Sequence, residues 1–275
     1  MLAALIIVFR EVIEAGIIVG IVMAATKTVP QRGRWIAGGI LGGLAGAALV
    51  AVFIGKISEA FEGIGQELFN ACVLSIAVVM LVWHNVWMSS HGRELALEAK
   101  DFGHSVAAGS RTLLALAVVC GVAVLREGSE VVLFLYGIIV SATDSNASIF
   151  LGGLAGLALG AVVSTLTYLG LLKIPGRHLF AVTSLLIALL AAGLAAQAVF
   201  FLQQADIVTA FGNTLWDSSW LLSDSSLPGK VLHTLIGYND HPTGMQVIVY
   251  LAVLLLIFIL MKVAAPARTP AVARP

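Results

Sequence analysis

Apolar residues dominate this chain in long blocks, and seven are readable. They lie at about Leu2–Ala25, Trp35–Ile57, Gln66–Ser89, Thr112–Val140, Ser148–Leu172, His178–Gln203 and Met245–Val263. A helix needs about 20 apolar residues to cross a hydrocarbon core of about 30 Å, and these blocks meet that length. The pattern predicts an all-α integral membrane protein with seven transmembrane helices. The first block lacks a basic leader region and carries its charges centrally, the reverse of a cleavable signal, so it is read as a retained helix.

The blocks repeat. The first three resemble the next three: a helix with a charged motif, a glycine-faced helix, then a helix opening with Leu-Phe. Leu68-Phe69 through Ile76-Ala77 matches Leu179-Phe180 through Ile187-Ala188 at a constant offset. The glycine faces are Gly38/Gly42/Gly46 with Gly39/Gly43, and Gly152/Gly156/Gly160. A spacing of four places them on one side, where backbones can approach closely. Three helices per unit is odd, so the second unit enters from the opposite side. The expectation is an inverted 3+3 repeat with a C-terminal helix, an arrangement whose cargo site lies near the midplane.

The resulting organisation has residues 1–90 as the first repeat and 91–111 as an amphipathic cytoplasmic linker helix. Residues 112–204 form the second repeat, 205–244 an extracytoplasmic loop rich in Asp and Trp, 245–263 the seventh helix and 264–275 a disordered tail. Eleven Lys and Arg residues fall in one set of loops and tail, against only Lys56 and Lys230 in the other. Basic residues stay on the cytoplasmic side, so the N-terminus is placed outside and the C-terminus inside.

Composition agrees with a membrane protein. Of 275 residues, 60% are hydrophobic and 11% charged, against about 25% charged in globular proteins; mean hydropathy is +1.03. The net charge of +0 supplies no basic field for nucleic acid. Cys72 and Cys120 lie inside apolar blocks and are expected as free thiols.

Against this background two pentads stand out: Arg10-Glu11-Val12-Ile13-Glu14 and Arg126-Glu127-Gly128-Ser129-Glu130. A charged side chain at the bilayer centre costs about 2.5–3.5 kcal/mol on insertion scales, so six amount to roughly 15–20 kcal/mol before pairing. In each motif the carboxylates are three residues apart and share a helix face, and the arginine can pair with the second glutamate at i+4. The guanidinium offsets one carboxylate and leaves one over. Two motifs facing each other would present about two surplus negative charges, a setting for a cation of charge two or three. Carboxylates are hard donors that suit Mg, Ca, Mn and oxidised iron. A single Arg–Glu pair in a membrane helix can be purely structural. Two copies at equivalent depth, each with a surplus carboxylate, favour a site that moves metal; a proton relay and a structural membrane subunit are the alternatives.

Other positions add less. Glu59, Glu62 and Glu67 precede the third helix and are candidates for an acidic outer vestibule that concentrates cations. His84, with Asn85 and Met88, and Cys120 are candidate exit-side contacts, although a hydrogen-bonded core histidine is the plainer reading of His84. Arg93-Glu94 with Glu98 has the wrong spacing to be a third motif. A haem-bearing redox subunit would need paired histidines on facing helices, and only His84 lies well inside a block.

Two Arg-Glu-x-x-Glu motifs in a seven-helix membrane protein resemble the oxidase-dependent iron permease family, the iron-uptake permeases of fungi and bacteria. The likeness extends to Trp83-His84-Asn85-Val86-Trp87-Met88, Ala191–Ala196, Leu215–Leu222 and Gly237-Tyr238. The resemblance implies that Glu11, Glu14, Glu127 and Glu130 carry iron and that Arg10 and Arg126 orient them. It further implies an inner-membrane permease rather than an enzyme, with iron as substrate and no cofactor. A separate ferroxidase or extracytoplasmic iron-binding protein would be its partner. The long acidic tail and Gly-Leu motif interior of fungal members are missing, which leaves the valence of the iron open. Some bacterial relatives are associated with lead uptake, which keeps another metal open as well.

Overall fold

The computed structural model describes residues 1–60, 65–141, 146–170, 176–224 and 226–264. Among these residues there are eight helices: α1 (Leu2–Ala25), α2 (Arg32–Ala60), α3 (Gln66–Ala107), α4 (Leu113–Ser141), α5 (Asn146–Tyr168), α6 (Gly176–Gln204), α7 (Leu227–Ile236) and α8 (Gly244–Ala264). The only β pairing among them is an isolated bridge between Thr214 and Thr243. Five helices are long and apolar enough to cross a bilayer: α2, α3 as far as Met88, α5, α6 from Val182, and α8. The chain is therefore an all-α, multi-pass membrane protein. With 24 and 29 residues, α1 and α4 are as long, and differ in carrying three charged side chains each near mid-length.

Helix pairing is built on backbone contact. α1 lies along α5 and α2 along α4. A Cβ at Gly152 would strike the Met1 carbonyl; at Gly156 it would meet Leu5 O and Phe9 N, and at Gly160 it would lie 2.8 Å from Val12 Cβ. On the other pair, Gly39 sits against the Ala117 carbonyl, a Cβ at Gly43 would be 2.6 Å from Gly121 O, and one at Gly46 2.6 Å from Leu125 Cδ1. Residue numbers rise together across each contact, so both pairs are parallel. The packed stripe of α2 is thus Gly39/Gly43/Gly46, whereas Gly38 and Gly42 face open space. Overlapping spacings of four fit both stripes, and only the partner helix selects one.

α3 runs unbroken for 42 residues, about 63 Å at 1.5 Å per residue. The expected separate helix beyond residue 90 is its continuation. Loss of apolar character after Ser89 marks where the apolar block ends, but no proline interrupts the backbone between Gln66 and Ala107. Glu94, Glu98 and Lys100 are exposed. Ala99, on the other face, joins an apolar cluster with Val22, Ile36, Leu116 and Cys120, and Gly103 leaves room for nothing larger beside Ala25. α1 ends in this region, with the Thr26 hydroxyl donating to Val22 O at 2.7 Å and Arg32 Nη1 to Met23 O at 2.8 Å. A cation on the last carbonyls suits the negative end of the helix.

A second, larger apolar cluster gathers Ala4, Ile7, Leu74, Leu81, Phe134, Ile138, Ile149, Ile187, Ala191, Leu194 and Ile257. Along α1 the charged motif falls between the two clusters, after Ile7 and before Val22.

The connection between α6 and α8 is folded. Leu215 N–H donates to Pro242 O at 2.9 Å, Ser218 N–H to Asp240 O at 2.9 Å, and the Tyr238 hydroxyl to Leu222 O at 2.8 Å. Within it α7 has its own signals: Ser226 as N-cap accepting from Gly229 N–H, proline in the first turn and Gly237 at φ 69° as C-cap. Gly237 rests directly on Gly193 of α6, eleven residues before that helix ends, or about 16 Å along its axis. The connection therefore reaches well down the side of α6. Trp216 and Trp220 remain exposed.

Candidate metal centre

The two pentads occupy neighbouring faces of α1 and α4, which pack against each other and against α3. On α1 the whole motif is sealed: Arg10 is 1% exposed, Glu11 1% and Glu14 3%. Arg10 serves both carboxylates, with Nη1 donating to Glu11 Oε1 at 3.3 Å and Nε lying 2.9 Å from Glu14 Oε1. The second contact has ion-pair distance without hydrogen-bond alignment. On α4, Arg126 Nε donates to Glu130 Oε1 at 3.3 Å and lies 3.8 Å from Glu127 Oε1. Glu127 is buried, but the Arg126 side chain is 39% exposed and its guanidinium lies 4.5 Å above the ring of Trp87 from α3. The motifs match in sequence and differ in access.

The four glutamates converge. One donor atom from each of Glu11, His84, Glu127 and Glu130 lies within 4.8 Å of the others. Glu14 is joined to the same group through His84, whose Nε2 is 3.4 Å from Glu14 Oε2 and 3.7 Å from Glu11 Oε2. His84 Nδ1 is against Glu130 Oε2. Four carboxylates meet two guanidinium groups, so two carboxylates lack an arginine of their own. Glu11 Oε2, both oxygens of Glu14, Glu127 Oε2 and Glu130 Oε2 are buried and accept no aligned hydrogen bond. Buried polar atoms are nearly always satisfied. A cluster of five such oxygens fits a place reserved for a bound cation, with the donor set for a hard or borderline metal.

His84 lies within the cluster, among the carboxylates of both motifs. Asn85 beside it is buried and donates from Nδ2 to Ser184 O at 3.1 Å, fixing α3 against α6. Cys72 and Cys120 are free thiols, and Cys120 belongs to the apolar cluster near the end of α1. Glu67 is exposed in the first turn of α3; Glu62 and the side chain of Glu59 lie outside the described residues, and so does the tail from 265 on. His91 stacks on Trp87 with ring centroids 5.3 Å apart, and His104 is exposed. Trp87, which covers Arg126, carries no signal in spacing: its position i+3 from His84 acquires meaning only once α3 is seen to face both motifs.

Comparison with known proteins places the chain among iron transporters. The family model described as the iron permease FTR1 family matches residues 1–268. The ferrous iron permease EfeU of Shigella sonnei is 34% identical over 279 residues, covering 99% of each chain. Its namesake in Escherichia coli O6:H1 is 34% identical over 256 residues, with 91% of each covered, and that of Yersinia pestis is 31% identical over 254 residues, with 91% and 89% covered. No solved structure matches.

Proposed function

The chain belongs to the iron permease FTR1 family, and from that premise we propose that it imports iron through the buried site formed by Glu11, Glu14, Glu127 and Glu130. The observation carrying this reading is the meeting of both motifs at one point, with more carboxylates than arginines and five buried oxygens that accept no aligned hydrogen bond. Arg10 and Arg126 position the carboxylates and hold down their mutual repulsion. The relatives' name favours ferrous iron as the form carried.

The fold that serves this function is seven crossings, an inverted repeat of α1–α3 with α4–α6, and α8 added. The reciprocal packing supports it: α1 on α5 and α2 on α4 are the same pairing seen from each half, and both are parallel, as alternating crossings require. The positive-inside pattern puts the N-terminus and the 205–243 connection outside and the C-terminus in the cytoplasm. Iron would arrive from an extracytoplasmic ferroxidase or iron-binding partner, with Glu67 at the outer rim. It would leave beside Trp87 and Arg126, the one member of the cluster with substantial exposure.

Uptake into proteoliposomes tests the assignment, comparing ferrous, ferric and lead ions. Glu11→Gln, Glu14→Gln, Glu127→Gln and Glu130→Gln keep shape and remove charge, and each is expected to abolish transport while the protein still purifies folded. Iron uptake that survives the fourfold variant defeats the proposal.

A further inference from the structure

One core side chain touches both motifs and belongs to neither. His84 comes from α3, is 3% exposed, and places its ring between the carboxylates of α1 and α4. Neither ring nitrogen has an aligned hydrogen bond, although Glu11, Glu14 and Glu130 surround it. A histidine kept only for packing would settle one nitrogen on a backbone carbonyl or a hydroxyl. Here the groups within reach are the glutamates of the proposed site.

We propose that His84 is a ligand of the transported ion and the group that makes the site prefer iron to magnesium, calcium and manganese. The inference rests on the glutamate site proposed above. One donor atom each from Glu11, His84, Glu127 and Glu130 falls within 4.8 Å of the rest. Donors bound at about 2.0–2.2 Å from a common ion are about 3–4.4 Å apart, so the four groups need to draw in by up to about 1 Å to complete the shell. Carboxylates alone form an all-oxygen site, the type that suits Mg, Ca and Mn; an imidazole nitrogen shifts preference towards Fe, Ni, Cu and Zn. With one nitrogen on the ion, the other retains a carboxylate neighbour, the usual support for a ligating histidine. Because His84 is on α3, and Asn85 ties α3 to Ser184 of α6, ion binding would draw three helices together and engage the fourth.

The test uses the full-length purified protein, loaded anaerobically with one equivalent of ferrous ion and measured by iron K-edge X-ray absorption. The expected spectrum shows imidazole-ring scattering, which disappears in His84→Gln while iron stays bound. In proteoliposomes, His84→Gln, or His84→Asp as a second variant restoring an oxygen ligand, should lose roughly tenfold in preference for ferrous ion over competing manganese or magnesium. Wild-type protein that binds iron with oxygen ligands only overturns the role of His84 and leaves the glutamate reading intact, whether or not the variants fold. Imidazole scattering or selectivity unchanged in both variants overturns it equally. Iron binding that persists with all four glutamates changed to glutamine overturns the glutamate reading and this one together.

Discussion

Arg10 and Arg126 hold the same place in their motifs and unequal places in the protein. Arg10 is buried to 1% exposure with two carboxylates on it, so Arg10→Gln strands charge in the core. Breaking one side of a buried pair costs about 3–5 kcal/mol. Arg126 is partly exposed and rests on Trp87, and Arg126→Gln should cost about 1 kcal/mol or less, as exposed pairs do. Thermal unfolding of the detergent-purified variants checks the order; equal shifts would mean the two arginines share one environment. Arg10→Lys should also impair uptake, since a point charge cannot reproduce a planar fork reaching two carboxylates. Both pentads are legible from charge in an apolar block, and so is the surplus of carboxylate. The place of His84 among the carboxylates is not, because spacing along α3 says nothing about which face of α1 or α4 it will meet.

Helices read well from hydropathy where the membrane sets their length. α1, α4, α6 and α8 begin and end within a few residues of the apolar blocks. The continuation of α3 is hidden because hydropathy reports surroundings and not backbone conformation. α7 is written in capping residues, Ser226, Pro228 and Gly237, inside a stretch whose tryptophans and aspartates draw the eye to composition. The glycine stripes give a sharp contrast. Gly39→Ala pushes a methyl into the Ala117 carbonyl, and Gly156→Ala one towards Leu5 O and Phe9 N. Each should destabilise by about 1–3 kcal/mol, the usual range for overpacking. Gly38→Ala and Gly42→Ala have open space and should change little. Melting temperatures of the four variants decide whether the packed stripe is the one described.

At the scale of the whole molecule, the connection from α6 to α8 is stapled by titrating groups. His241 Nδ1 lies 2.7 Å from Asp240 Oδ1 and its Nε2 3.1 Å from Asp217 Oδ1. Asp240, with help from Asp217, holds the imidazole above its ordinary range. Hydrogen bonds from Ser219, with His241, hold Asp217 below the usual carboxylate range. For Asp240, burial pushes upward but is outweighed by the Asp224 N–H and His241, so it too lies low. A raised histidine contributes stability below its unfolded value and loses it as pH climbs through the folded one; lowered carboxylates lose theirs as pH falls. The staple is therefore complete between about pH 4 and 6.5, the ordinary Asp and His values, and should loosen on either side. Amide protection factors, which divide out the intrinsic pH dependence of exchange, should be highest in that window across residues 215–224 and 226–243, and in His241→Gln should show no further fall above it.

The seat of Gly237 on Gly193 has a mechanical consequence. Backbone touches backbone there, with no side chain to swing aside and take up slack. Any shift of α6 relative to its neighbours must carry the α6–α8 connection with it, as a handle moves with its blade. On the topology proposed above, a partner gripping that connection from outside would have hold of a helix that Asn85 couples to the histidine-bearing α3, and docking and ion release would share a single moving part.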